Sequence, residues 1–146
     1  MKSLFYDFES ADNLSFYFES VSNQKSIVKV VAYTPIFKDA DIYFLGFGDV
    51  GEDGTIDDLV VSNNQDFAKI LATVIQTILT FFETYPQYKV FFEGSTKSRT
   101  RLYQIIINRE LENISKKFVV QGLTEFGFEN YQKNRSYDGF LIQLKN

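Results

Sequence analysis

The densest chemistry in the sequence lies in one run, Glu93-Gly94-Ser95-Thr96-Lys97-Ser98-Arg99-Thr100-Arg101-Leu102-Tyr103. It follows the apolar Val90-Phe91-Phe92 and leads straight into a helical pattern, so it reads as strand, turn and helix start. The first backbone N–H groups of a helix have no partner inside the helix and carry the positive end of its dipole, which suits a phosphate or a carboxylate. Gly94 permits a tight turn or a positive φ, and Ser95, Thr96 and Ser98 can each cap the helix. The candidate ligand-binding residues are therefore Gly94, Ser95, Thr96, Ser98, Arg99, Arg101 and Tyr103. Arg99 and Arg101 stand two apart, about 200° around an ideal helix, so one can face such a seat while the other points away. Arginine at a helix start is unfavourable toward the dipole, which calls for a negative group nearby, either an acid of this chain or a ligand. The run is not a P-loop, because it lacks the Gly-x-x-x-x-Gly-Lys spacing.

Composition removes many alternatives. With no His and no Cys, Ser-His-Asp and Cys-His catalysis and imidazole or thiolate zinc sites are excluded. Catalysis would have to use carboxylates, Lys, Tyr, Arg or backbone groups, so the expectation leans away from an enzyme. No catalytic residue, metal ligand or cofactor is assigned. Asp49, Asp53, Asp57 and Asp58 invite a calcium loop, but counting from Asp49 puts Gly51 at the third position and Val60 where the bidentate Glu belongs. A solvated acidic hairpin is the better account.

The net charge of −4 is uneven: residues 1–66 hold 4 Lys/Arg against 12 Asp/Glu, and residues 67–146 hold 11 against 7. An acidic protein repels nucleic acid at long range, which speaks against nucleic-acid partners, while the basic half can still meet one anionic group. The 146 residues suit a single domain, 1–146, and an apolar share of 45% with 16 Phe and 9 Tyr supports a packed core. No apolar run reaches the roughly 18 residues of a membrane helix, and Asp7 and Glu9 interrupt the start. A cytoplasmic location, with no membrane partner, is the default.

The elements that position these residues follow from periodicity. Leu4, Phe5 and Phe8 form a lead-in, and strands are expected at Leu14–Glu19, Ser26–Tyr33, Ile42–Asp49 and from Ile56 to Val61. Asn63, Asn64 and Asp66 open a helix whose apolar face is Phe67, Ile70, Leu71, Val74, Ile75, Ile78, Leu79 and Phe82. Lys69, Thr73, Gln76, Thr77, Thr80 and Glu83 fall on the opposite face, and Thr84-Tyr85-Pro86 stops the helix. A short central strand at Lys89–Glu93 precedes the turn, and a second helix runs from about Ser98 to Lys117. Phe118–Gly122 completes a strand–helix–strand unit, 125–136 reads as a loop, and Tyr137–Leu144 is the last strand. The expected fold is α+β: a single mixed, largely antiparallel sheet of about six to seven strands with two long amphipathic helices, in the order ββββ-α-β-α-ββ.

The sequence also resembles a small domain family of unknown function found mainly in Bacteroidetes. The residues that carry the likeness are Phe47-Gly48-Asp49, then Asn63-Asn64-Gln65-Asp66 with Lys69-Ile70-Leu71-Ala72-Thr73-Val74, then Gly94-Ser95-Thr96 with Arg99-Thr100-Arg101-Leu102-Tyr103, in that order. The likeness spans nearly the whole chain and implies no activity, substrate or catalytic residue. A second likeness is one of topology, to the C-terminal part of the acetyl-coenzyme A-dependent N-acetyltransferases. That fold implies a pyrophosphate seat in a Gln/Arg-x-x-Gly-x-Gly/Ala turn. The corresponding Asn63-Asn64-Gln65-Asp66-Phe67-Ala68 has no glycine and an acid where phosphate would sit, so the cofactor is not expected and the analogy concerns the fold alone.

The leading expectation is a non-enzymatic domain that binds another protein or itself, motivated by the missing catalytic types and the many aromatics. The alternative is a protein or enzyme that takes a phosphate, nucleotide or carboxylate at Gly94–Tyr103. A nucleic-acid-linked regulator, such as one member of a toxin–antitoxin pair, is a third possibility that the net charge disfavours.

Overall fold

The structure, a computed structural model, describes residues 5–21, 26–36, 41–50, 56–57 and 67–145. Its elements are β1 (Ser15–Val21), β2 (Ser26–Pro35), β3 (Ile42–Val50), β4 (Ile56–Asp57), α1 (Phe67–Thr84), β5 (Lys89–Phe92), α2 (Lys97–Ile114), β6 (Phe118–Thr124), β7 (Gly127–Asn130) and β8 (Gly139–Leu144). The strands hydrogen-bond in the order β1-β2-β3-β5-β8-β6-β7, with β4 on β3. The α+β class, the mixed and largely antiparallel sheet and the two long helices are as the sequence implied. The helix-start cluster at Asn63, Asn64 and Asp66, the turn around Gly51–Thr55, Asp58 and the end of the expected Ile56–Val61 strand lie outside the described residues.

The chain forms two compact units, residues 1–34 with 45–86 and residues 35–44 with 87–146. In the first, β1 and β2 pair antiparallel from Ser15↔Ala32 to Val21↔Ser26. This register puts Phe16 and Phe18 on the same face as Val31 and Lys29. Tyr33 continues that face, stacking on Phe81 of α1 at 4.5 Å and meeting Phe16 edge-on at 5.8 Å. The outer side of β1 is engaged by the lead-in, where Glu9 and Tyr17 exchange backbone hydrogen bonds of 2.9 Å.

Helix α1 differs from its expected pattern in one respect. Its buried side is rotated: Thr73 and Thr77, assigned from the sequence to the polar face, and Phe81, left out of the expected apolar face, are fully buried, whereas Ile75 is 41% exposed. Burial of a threonine is tolerated when its hydroxyl is satisfied. Thr73 Oγ1 donates to Lys69 O at 2.7 Å and accepts from the Tyr6 amide at 2.8 Å. Thr77 Oγ1 lies 2.7 Å from Val74 O and 2.9 Å from the Tyr33 hydroxyl. Once bonded in this way, the two threonines pack like small apolar residues.

Asp49 corrects a second expectation. It is no solvated hairpin acid: it forms an ion pair with Lys29, which is only 3% exposed. Removing one partner of a buried pair strands the other charge, whereas replacing both by apolar groups need not cost stability. Asp49→Ala is therefore expected to lower unfolding free energy by about 3–5 kcal/mol in urea titration. The double variant Lys29→Met with Asp49→Leu is expected to recover most of that loss.

In the second unit the start of β3 runs parallel to β5, with Ile42↔Lys89 and Phe44↔Phe91. β5 pairs antiparallel with β8 through Phe92↔Phe140, and β8 pairs antiparallel with β6 through Val120↔Ile142. β5 and β6 are therefore parallel, as the strand–helix–strand pattern implied, but β8 is inserted between them. The stretch 125–136, read as loop, contains β7, which pairs with β6 from Gln121↔Asn130 to Thr124↔Gly127. Gly127 makes this hairpin possible: its φ of 114° is one that side chains rarely adopt. Helix α2 packs onto this part of the sheet through Ile107, which forms a core with Val120, Tyr137 and Phe140, flanked by Phe92, Tyr103, Leu111, Ile114 and Tyr131.

Candidate functional site

The run Glu93–Tyr103 lies where β5 ends and α2 begins, in the second unit. Thr96 is the cap: its backbone is extended (φ −134°, ψ 162°) and its hydroxyl accepts from the Arg99 amide at 3.2 Å. Thr100 ties the turn together, its hydroxyl donating to Thr96 O at 3.2 Å and accepting from the Gly94 amide at 2.9 Å. Gly94 is needed for space and not for a positive φ. A Cβ there would stand 2.4 Å from Thr100 N and 2.5 Å from Arg99 Cβ, so no side chain fits. Thr96 serves only the third amide of the helix, which leaves the open donors of a helix start near Lys97.

Beside this turn is a cleft of about 810 Å³. One wall is the start of α2, with Ser95, Thr96, Lys97, Arg101, Gln104 and Asn108; the other is the segment between β7 and β8, with Lys133, Arg135, Ser136 and Tyr137. Glu93 and Asp138 also line it. Of the seven candidates from the sequence, Gly94, Ser95, Thr96 and Arg101 meet in this cleft, and Ser98, Arg99 and Tyr103 do not line it. Tyr103 instead packs edge-on against Phe92 at 6.0 Å. The two arginines thus part, as their spacing required.

Lys97, Arg101 and Lys133 make no ion pair among the described residues. Arg135 does, holding both oxygens of Glu129 at 2.9 Å through Nη1. That contact belongs to a network that pins the second wall onto α2. Gln104 Nε2 donates to Arg135 O, and Gln104 Oε1 accepts from the Tyr137 amide at 3.3 Å. Tyr131 hydrogen-bonds to Asn108 Oδ1. The Tyr137 hydroxyl donates to Glu129 Oε2 at 2.8 Å and accepts from the Gln132 amide at 3.0 Å. The Tyr137 ring lies on Gly122, where a Cβ would come within 2.3 Å of it.

Lys97, Gln104, Asn108 and the whole second wall were not among the candidates named from the sequence. Lys97, Arg101, Gln104 and Asn108 recur at three- and four-residue steps, a helical stripe that was available as a signal. Nothing local in 131–138 announces that it folds back on α2.

The network has a titration signature. Burial pushes the Tyr131 hydroxyl up from 10.0 to about 12, with the nearby Tyr137 adding to the rise and the Gln104 hydrogen bond opposing it. Tyr137 is raised as well, by burial first and then by its hydrogen bond to Glu129. A tyrosine whose folded pKa lies above its unfolded value contributes stability below the unfolded pKa and loses it as pH rises toward the folded one. The urea midpoint should therefore fall as pH is raised from about 10 toward about 12, and Tyr131→Phe should show a smaller fall over that window. Tyr137→Phe, which leaves the Gln132 amide unsatisfied, should cost about 1–3 kcal/mol at neutral pH in the same measurement.

No helix among the described residues is long and apolar enough to cross a membrane. No curated protein and no solved structure matches the chain. One family model does match, over residues 2–145, and its description is a family of unknown function (DUF6934). With nearly its whole length matched, the chain belongs to the DUF6934 family.

Proposed function

We propose that this protein binds a small phosphorylated or carboxylated molecule in the cleft at the start of α2. The observation that carries the reading is that Lys97, Arg101 and Lys133, from two different segments, line one opening without an acidic partner among the described residues. Cations held unpaired beside the positive end of a helix favour an anion between them. The volume of about 810 Å³ falls within the range of small-molecule sites. Binding rather than catalysis is proposed, since the chain has neither His nor Cys to supply the commoner acid–base or nucleophilic groups. Calorimetric titration with inorganic phosphate and pyrophosphate tests it. Arg101→Gln is expected to weaken binding about tenfold, whereas Arg99→Gln, outside the cleft, should leave it unchanged. Absence of binding at millimolar ligand, or equal losses in both variants, would contradict the proposal.

A second reading, association with a protein partner or a second copy, is supported by the turn and strand at β7. Phe126 is 92% and Phe128 43% exposed, and β7 ends the hydrogen-bonding order of the sheet. Light scattering over a concentration series should show an oligomer that Phe126→Ser with Phe128→Ser dissolves; a strict monomer at all concentrations would remove self-association.

A further inference from the structure

The same cleft holds two carboxylates, Glu93 and Asp138, and neither pairs with the free cations around it. The cleft therefore presents exposed groups of both signs to whatever enters it. Glu93 follows the end of β5 and Asp138 precedes β8, adjacent strands whose register extends to Phe92↔Phe140. The Asp138 amide is fixed on Leu123 O at 2.9 Å. Lys97 and Arg101 are one turn apart on α2, and Lys133 stands in the segment pinned by Gln104. The opening is thus divided between acids at strand ends and cations on the helix and the pinned segment.

An ionised carboxylate can only accept hydrogen bonds. What meets Glu93 and Asp138 must donate, while what meets Lys97 and Arg101 must be anionic. Resting on the anion reading above, we infer that the ligand is a phosphate monoester bearing vicinal hydroxyls: its phosphate is held by Lys97, Arg101 and Lys133, and its diol by Asp138 with Glu93. A diol offers two donors to the two oxygens of one carboxylate, and a cleft of about 810 Å³ has room for a sugar beyond the phosphate.

Calorimetry on the full chain with inorganic phosphate, α-glycerophosphate, adenosine monophosphate and deoxyadenosine monophosphate tests this, the last lacking the vicinal diol. Adenosine monophosphate should bind about tenfold tighter than its deoxy counterpart. Asp138→Asn should abolish that ratio while leaving inorganic phosphate bound as tightly or more tightly, since it removes a negative charge. Both side chains are exposed, and an unchanged thermal midpoint checks that the variant is folded. If α-glycerophosphate equals adenosine monophosphate, recognition resides in the hydroxylated phosphate itself; if it is weaker, the nucleoside adds contacts, and the diol preference supports the inference in both cases. Equal affinities for the two nucleotides, with inorganic phosphate still bound, would overturn the inference and leave the anion reading standing. No binding by any of the four would overturn both.

Discussion

The geometry of the second unit depends on how closely the backbone at Gly94 approaches the first turn of α2. With a virtual Cβ 2.4 Å from Thr100 N, even alanine would force strand and helix apart. This approach lets Thr100 bond to both Gly94 and Thr96, so β5 passes into α2 through a turn with no slack. The sharpness of that turn sets the orientation of the helix start. Residues one turn apart, Lys97 and Arg101, then share the cleft, while Arg99 falls elsewhere. A more relaxed connection would leave the same residues in the sequence without bringing them to one opening.

A second glycine shapes the other wall in a similar way. Gly122 leaves room for the Tyr137 ring, which lets the chain between β7 and β8 settle against the sheet before turning into β8. Gln104 then reads the backbone of that segment at two points, through Arg135 O and the Tyr137 amide. A satisfied polar network of this kind specifies one arrangement, because each unmade bond inside it would cost more than an exposed one. Among the described residues no buried side-chain polar atom lacks a partner. The cleft therefore stands between the start of a helix and a segment tied to that helix by hydrogen bonds.

Local signals made much of this visible in the sequence. The three- and four-residue recurrence over Phe67–Thr84 identified α1, and the β-branched Ser26–Tyr33 identified β2. Gly94-Ser95-Thr96 located the start of α2 to within a residue or two. What stayed hidden was set by non-local pairing. The insertion of β8 between β5 and β6 depends on register across the sheet, and Gly127-Phe128-Glu129-Asn130 is too short and too polar to read as a strand before its hairpin partner is known. The buried positions of Thr73 and Thr77 were hidden for another reason: their hydroxyls bond to carbonyls of their own helix, which periodicity of apolar residues does not reveal. The site divides along the same line. The first turn of its α2 wall, Ser95 to Arg101, falls in one contiguous run that sequence reading could single out, whereas Gln104 and Asn108 join it through the helical repeat and Lys133 to Asp138 only through tertiary contacts.

The central claim, that the start of α2 and the pinned segment hold an anion between them, is tested most directly by following backbone amides in an NMR titration with inorganic phosphate. The account predicts saturable shifts concentrated at Ser95, Thr96, Lys97, Arg101 and Lys133. Shifts that never saturate, or that gather on residues outside this cleft, would contradict it.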